Sequence, residues 1–291
     1  MSVNGLVLPE VSARRRRTDR IMRGLLLAAT IVALVPLVLV IYYLLKQGLS
    51  AINGSFFTQD PTGSFFGGVG GARSAILGSL EIVLLATVIS VPIGIGVALY
   101  LTEYGQSSRF ADVIRYFVDV MTGVPSIVFG LFIYITLVLA HLGGNFTAWK
   151  GSVALALLML PIVIRSAEVV LLLVPASLRE AALALGAPRW RVITRVVLPT
   201  SASGLVTGSL LAVARAMGET APLLFTTAGA AGLTFSLSQQ MNAMPVQIYN
   251  DILSPRQVVV SQAWGLGLIL VLIVLILNLI ARAVSRRSRL G

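Results

Sequence analysis

From residue 24 to residue 45 the chain reads GLLLAATIVALVPLVLVIYYLL, an apolar run without one charge. A helix rises about 1.5 Å per residue, so roughly 20 such residues cross the about 30 Å of hydrocarbon in a bilayer. Backbone N–H and C=O groups find no water there, which leaves the helix as the form such a run takes. Five further runs, at residues 75–101, 113–140, 152–174, 201–228 and 263–283, repeat the pattern. The prediction is an all-α, polytopic membrane protein with six transmembrane helices. Composition agrees: 57% of the residues are hydrophobic and 11% charged, against about 25% charged in a soluble domain.

The expected organisation is a basic tail at 1–23, a first transmembrane helix at 24–45 and an external loop at 46–74. A core follows at 75–284 with five transmembrane helices, and a short tail at 285–291. The core includes two polar connectors, 175–199 and 229–262. Residues 47–74 contain GSFFGGVGGA and read as an irregular loop, whereas MNAMPVQIYNDILSP in the second connector suits a short helix over the outer mouth. A signal peptide has an apolar core of only ~7–15 residues and a small-residue cleavage site. The run behind Arg14 to Arg17 is longer and leads into Lys46-Gln47-Gly48, so it is expected to be retained.

The net charge of +11 would suggest nucleic acid in a soluble protein, but here it reports topology. With the N-terminus inside, the inner segments carry sixteen arginines and the outer ones only Lys46, Arg73, Lys150 and Arg256. The positive-inside rule then places both ends in the cytoplasm, with Arg165 and Arg215 left inside spans. No cysteine is present, so thiolate metal sites and disulfides are excluded, and His141 is the single histidine. Neither Lys46 nor Lys150 follows a glycine. A Walker A loop needs that pair to cradle phosphates, so ATP is not hydrolysed by that route.

The connector SLREAALALGAPRWRVITRVVLP (177–199) carries most of the local signals. Ser177 and Glu180 stand in capping-box spacing, and LREAALAL favours helix. Gly186 suits a left-handed C-terminal cap and Pro188 the first position of a second helix, expected to stop at Pro199. Two readings of this helix–turn–helix stay open. One is an interfacial hairpin, with Trp190 at the headgroups and arginines on anionic lipid. The other is a docking knob, in which Ala181 and Ala182 permit close approach and Arg179 and Glu180 are polar anchors.

Charges at membrane depth cost roughly 2.5–3.5 kcal/mol on insertion scales and are functional candidates by default. PIVIRSAE places Arg165 three residues from Glu168, and ARAMGETAPLLF places Arg215 four residues from Glu219. Guanidinium groups along a path suit an oxyanion, to which arginine makes forked bonds. Glu219 could orient Arg215 and keep an anion from binding too tightly to leave. Gly218 and Pro222 interrupt the fifth span, a break tolerated where it lines a cavity. Glu81 and Asp119 are expected at wet span ends rather than in transport.

Glu180-Ala181-Ala182, Gly186 and Val196-x-Leu198-Pro199 together resemble the EAA loop of bacterial ABC-importer permeases, with valine at 196 where the family usually has isoleucine. YLTEYG, GVPSIVFGLF, PIVIRSAE, ARAMGETAPLLFT and MPVQIYN, in this order from residue 100 to residue 250, resemble the PstA-type permeases of high-affinity phosphate importers. Residues before about 70 match nothing in that pattern. The resemblance implies the type I ABC-importer permease fold and a bacterial inner-membrane location. It also implies a PstC-type permease as partner, two copies of a PstB-type ATP-binding subunit inside and a phosphate-binding protein outside. ATP and Mg would be bound by the partner ATPase, with no cofactor in this chain and no nucleic acid as partner. Arg165, Arg215 and Glu219 would line the substrate path. Ser177, Arg179, Glu180, Ala181, Ala182 and Gly186 would couple to the ATPase. The charges alone leave sulfate or molybdate as alternative cargo, and leave open an ATP-independent transporter.

Overall fold

The structure is a computed structural model and describes residues 13–62, 70–106 and 108–287. Residues 63–69, which hold most of the glycine-rich run, and the outermost parts of both tails lie outside the described residues. Among the described residues the architecture is all-helical, with a single isolated bridge between Pro61 and Gly70. They divide into two compact units, one ending at Lys46 and the other beginning at Gln47.

The first unit is helical. Helix α1 (Ala13–Ala51) carries the apolar run through Pro36, and side chains such as Leu26 and Val32 are exposed. In the second unit α2 (Gly54–Thr58) precedes α3 (Arg73–Leu99), which is extended by a π-helical turn, Tyr100–Tyr104. Then come α4 (Arg109–Gly123), α5 (Ser126–Ile133) with a π turn at Tyr134–Val138, and α6 (Ala148–Leu172). A hairpin follows, α7 (Ala176–Ala184) and α8 (Arg189–Val192) with a third π turn at Ile193–Val197. The chain closes with α9 (Leu198–Met217), α10 (Ala221–Leu224), α11 (Met244–Ile252) and α12 (Gln257–Arg287).

Among the described residues five helices are long and apolar enough to cross a membrane, and a sixth span results if the bent pair α4–α5 counts as one. The expected single span at 113–140 is therefore a broken one: α4 and α5 meet at 103°. Pro125 is the reason. A residue before proline is pushed out of the helical region, and Val124 accordingly sits at φ −73°, ψ 128°. A second difference lies at Pro199. The helix does not stop there; it runs from Arg189 through the π turn to Met217, with Pro199 in the first turn of α9. The fifth span ends at Met217 rather than at 228, broken at Gly218 as the glycine and Pro222 suggested.

Helix α6 is the central post, packed against α3, α9, α5 and α4, with Leu155, Met159 and Val163 wholly buried. Association of helices in lipid relies on close van der Waals approach over small residues. Gly94 of α3 is such a point, since a Cβ there would lie 2.7 Å from Cγ1 of Val163. A second cluster, with Ala98, Leu171, Val174, Val192, Val197 and Leu205, joins the hairpin to the ends of α3, α6 and α9.

At the opposite end, the first amides of α6 hold the polar connector. Thr147, Ala148 and Trp149 donate N–H groups to the carbonyls of Thr226, Gln239 and Leu237. Lys150 is completely buried and donates to the carbonyls of Gly144 at 2.5 Å and Asn145 at 2.7 Å. Asp60 accepts from Arg73 at 2.9 Å and from the Leu233 amide at 3.1 Å. That guanidinium holds the Asp60 carboxyl below its ordinary range. The expected short helix is present as α11.

Candidate functional site: an open arginine, a locked arginine and a hairpin

The break between α4 and α5, the middle of α6 and the last turn of α9 build one groove. It has a volume of about 230 Å³, and Thr122, Ser126, Pro161 and Arg215 are among its lining residues. Arg215 lies in the last turn of α9 with its side chain 66% exposed. Its partner Glu219 is 16% exposed, and Nε to Oε1 is 3.6 Å, too long for a strong charge-assisted bond. Most of the guanidinium is thus free to meet a ligand, and a mobile anion in such a groove would find a cation that is only loosely neutralised.

Arg165 is placed differently. Its Nη1 donates to Oε2 of Glu168 at 2.7 Å, its Nε to Oδ1 of Asp119 at 2.9 Å, and its Nη2 to Asp119 and the carbonyl of Arg115. Glu168 is buried and also accepts from Nε of Arg115 at 2.8 Å. Arg115 reaches Asp112 and the carbonyl of Leu101 as well. Two arginines thus meet three carboxylates, and the cluster carries no surplus positive charge. Arg165, expected along the substrate path, is held between α4 and α6 by Asp119 and Glu168. Asp119, expected at a wet span end, is one of its partners. Sequence reasoning missed Arg115 because a charge near a span end was read as topology alone. Arg115 and Asp119 four residues apart, opposite Arg165 and Glu168, carried the signal.

The hairpin is built much as its residues suggest. Gly186 has φ +79°. Its N–H donates to the carbonyl of Leu183 and that of Ala187 to Ala182, the paired bonds of a Schellman cap. The expected capping box is absent. Helix α7 begins at Ala176 with Pro175 at the cap and no side-chain capping bond, which puts Ser177 one position inside the helix. Pro188 stands at the cap of α8, one position earlier than expected. Ser177, Glu180 and Ala181 are exposed, whereas Ala182 is half-buried against the hairpin cluster. Leu185 at the tip is 89% exposed and Trp190 58%, so the hairpin ends in an apolar knob with Glu180 on its flank. Leu185 was not singled out from sequence, although a leucine immediately before a left-handed glycine must stand at the turn.

Arg179, expected as an exposed anchor, faces inward. It donates from Nε to Oε1 of Glu103 at 3.1 Å, from Nη1 to the carbonyl of Val174 at 2.6 Å and from Nη2 to that of Leu171 at 2.8 Å. Among the described residues no group of three or more metal-ligating side chains occurs.

A bundle around a buried post, with a broken span facing a charged groove and a helical hairpin carrying an exposed knob, defines a multi-pass membrane permease. The fold is that of solved ABC-importer permeases. A chain of the bacterial alginate ABC transporter superposes with a TM-score of 0.61 at 17% identity, covering 93% of this chain and 96% of that one. A chain of the inward-facing MetNI methionine ABC transporter gives 0.60 at 17% identity, covering 74% and 96%. Residues 90–290 match the family described as the binding-protein-dependent transport system inner membrane component. The phosphate transport system permease protein PstA of Yersinia pestis is 42% identical over 95% of this chain and 93% of its own length. That of Mycobacterium leprae is 38% identical over 97% and 93%. The chain belongs to this permease family, in its PstA branch.

Proposed function

We propose that the chain is the membrane permease subunit of an ATP-driven phosphate importer, forming half of the translocation path. The observation that carries this is Arg215: a side chain two-thirds exposed, in a groove between the α4–α5 break and α6. Arginine suits tetrahedral oxyanions because its fork matches two oxygens at once. Glu219, 3.6 Å away, competes for that fork, so an anion is held without being trapped. In this proposal Arg165 joins the path only when Asp119 releases it. The PstA relatives, which are named for phosphate transport, support phosphate over sulfate or molybdate.

The other half of the path would come from a PstC-type permease. Two PstB-type subunits would bind ATP and Mg and receive the hairpin knob, with Glu180, Ala181 and Gly186 shaping the contact. A phosphate-binding protein would deliver the anion from outside. In this proposal both termini and the hairpin face the cytoplasm at a bacterial inner membrane, a reading that the excess of arginine in those segments supports, with membrane lipid around the apolar helices.

Uptake of radiolabelled phosphate in cells lacking the chain tests the proposal. The cells are complemented with wild type, Arg215→Ala or Glu180→Ala at matched membrane levels, with sulfate as control. Wild type is expected to restore phosphate uptake alone, and both variants to lose it. Restored sulfate uptake would overturn the cargo, and normal transport by Arg215→Ala would remove that arginine from the path.

A further inference from the structure

The inner ends of α3 and α6 meet the hairpin across a crevice of about 300 Å³ that Glu103, Tyr104, Arg179 and Arg189 help to line. Helix α7 itself packs on α8 and the π turn that follows it. Beside the apolar contact of Ala182 with the cluster at the span ends, Arg179 reaches from α7 to the spans through hydrogen bonds. Two of its bonds go to the carbonyls of Leu171 and Val174. Leu171 is in the last turn of α6 and Val174 lies just beyond its end, where carbonyls lack the amides of a following helical turn. The third goes to Glu103, whose carboxylate stands only 3.0 Å from Nη2. Both side chains are largely buried, 20% exposed for Arg179 and 11% for Glu103. Glu103 lies in the π turn Tyr100–Tyr104 that closes α3, and such turns hold an extra residue that re-aims its neighbours.

We propose that Arg179 and Glu103 form a rigid brace that makes the hairpin and the inner ends of α3 and α6 move as one body. A push on the exposed knob then reaches the spans instead of bending the hairpin at Pro175. Glu103 is thus a positioning residue for transport, acting through Arg179, and Arg179 lies one position from Glu180 yet serves the opposite purpose. A carboxylate that is buried and paired holds its geometry better than an exposed one, whose ion pairs are worth little. This inference rests on the reading of the hairpin as the ATPase contact.

The test uses the full transporter, with its ATPase subunits and binding protein, reconstituted in vesicles. Three quantities are read: ATP-driven phosphate uptake, ATP hydrolysed, and ATPase subunit retained on purification. Glu103→Ala is expected to keep the ATPase subunit within about twofold of wild type while phosphate moved per ATP falls at least about fivefold. The chain has no cysteine, so Glu103→Cys with Arg179→Cys places two thiols across the crevice. Unbridged, this double variant is expected to be uncoupled like Glu103→Ala. Joined by a short bismaleimide, it is expected to recover at least half of the wild-type uptake per ATP, with reagent-treated wild type as control. Unchanged uptake per ATP in Glu103→Ala would overturn the brace. So would a bridged variant that stays uncoupled, or uptake and ATPase retention falling in proportion, which is the signature of a pair that only holds the fold. Absence of ATP-driven phosphate uptake in the wild-type complex itself would overturn the importer reading and the brace with it, and the wild-type sample tells that failure apart.

Discussion

Two Arg–Glu pairs look alike on paper: Arg165 with Glu168, three residues apart, and Arg215 with Glu219, four apart. Folding makes them opposites. The first is closed, with Glu168 buried between two arginines and Arg165 donating to two carboxylates and a carbonyl. The second is open, with one long contact and an exposed guanidinium facing a groove. Spacing along a helix says which residues can meet, but it does not say what the neighbouring helix brings. Here α4 brings Arg115 and Asp119 to one pair, and the α4–α5 break leaves the other without competitors. The hairpin repeats the contrast between adjacent residues, Arg179 closed and Glu180 open.

The largest expected effect is at the closed pair. Glu168→Ala strands Arg115 and Arg165 without their shared carboxylate, and removing one partner of a buried ion pair costs about 3–5 kcal/mol. Thermal unfolding of the purified protein in detergent should show it as a large drop in midpoint. A small drop would mean that water already reaches the cluster and that the two pairs differ less than their geometry suggests.

Arg215→Ala should do the reverse. Stability should change by no more than about 0.5 kcal/mol, as for other exposed substitutions. Phosphate uptake should fall about 100-fold, equivalent to about 2.7 kcal/mol. Arg215→Lys should recover part of the uptake, because a point charge replaces the fork. If Arg215→Ala unfolds as readily as Glu168→Ala, the open pair is structural and the comparison collapses.

Much of the architecture could be read before folding was considered, because bilayer thickness and backbone hydrogen bonding leave little freedom to an apolar run. The spans along α3, α6 and α12 and the left-handed turn at Gly186 follow from that physics and from glycine's. What could not be read was set by partners distant in sequence. Pro125 gave a visible reason to break the third span, but the 103° bend depends on what α5 packs against. Ser177 and Glu180 had capping-box spacing, yet Pro175 already held the cap. Glu103 stood in a quoted motif with no role, since only the fold carries it across to Arg179. Lys150 counted as an outer charge and is wholly buried on backbone carbonyls.

A third kind of acid sharpens the contrast, one with no arginine among its hydrogen-bond partners. Asp251 on α11 is half-buried, and burial pushes its carboxyl from 3.8 up to about 6, partly offset by the hydrogen bond from Gln247. Between those values the folded protein binds the proton more tightly than the unfolded chain does. Its contribution to stability is therefore greatest below pH 4 and is lost as pH rises toward 6. Asp251→Asn should remove this dependence and raise stability at pH 7 by about 1–2 kcal/mol, after allowance for partial exposure. Unfolding midpoints at pH 5 and pH 7 measure it. Equal midpoints for wild type and variant at both would show that the carboxyl is solvated.

The smallest effect separates backbone from contact at the open end of the hairpin. A Cβ on Gly186 would meet nothing within 4 Å, yet its φ of +79° is one that side chains rarely adopt. Gly186→Ala therefore carries only conformational strain, about 1 kcal/mol, and no steric clash. If the knob must hold its shape to bind, that strain lowers affinity for the ATPase subunit about fivefold. Gly186→Asn should lose less, because asparagine tolerates the left-handed region better than alanine. Binding of the ATPase subunit to detergent-purified permease gives the order directly. Glycine over asparagine over alanine is the ranking of a backbone effect. Equal losses for alanine and asparagine would instead mean that the partner itself fills the space over the glycine, and the open face of the hairpin would then be defined by contact rather than by the turn.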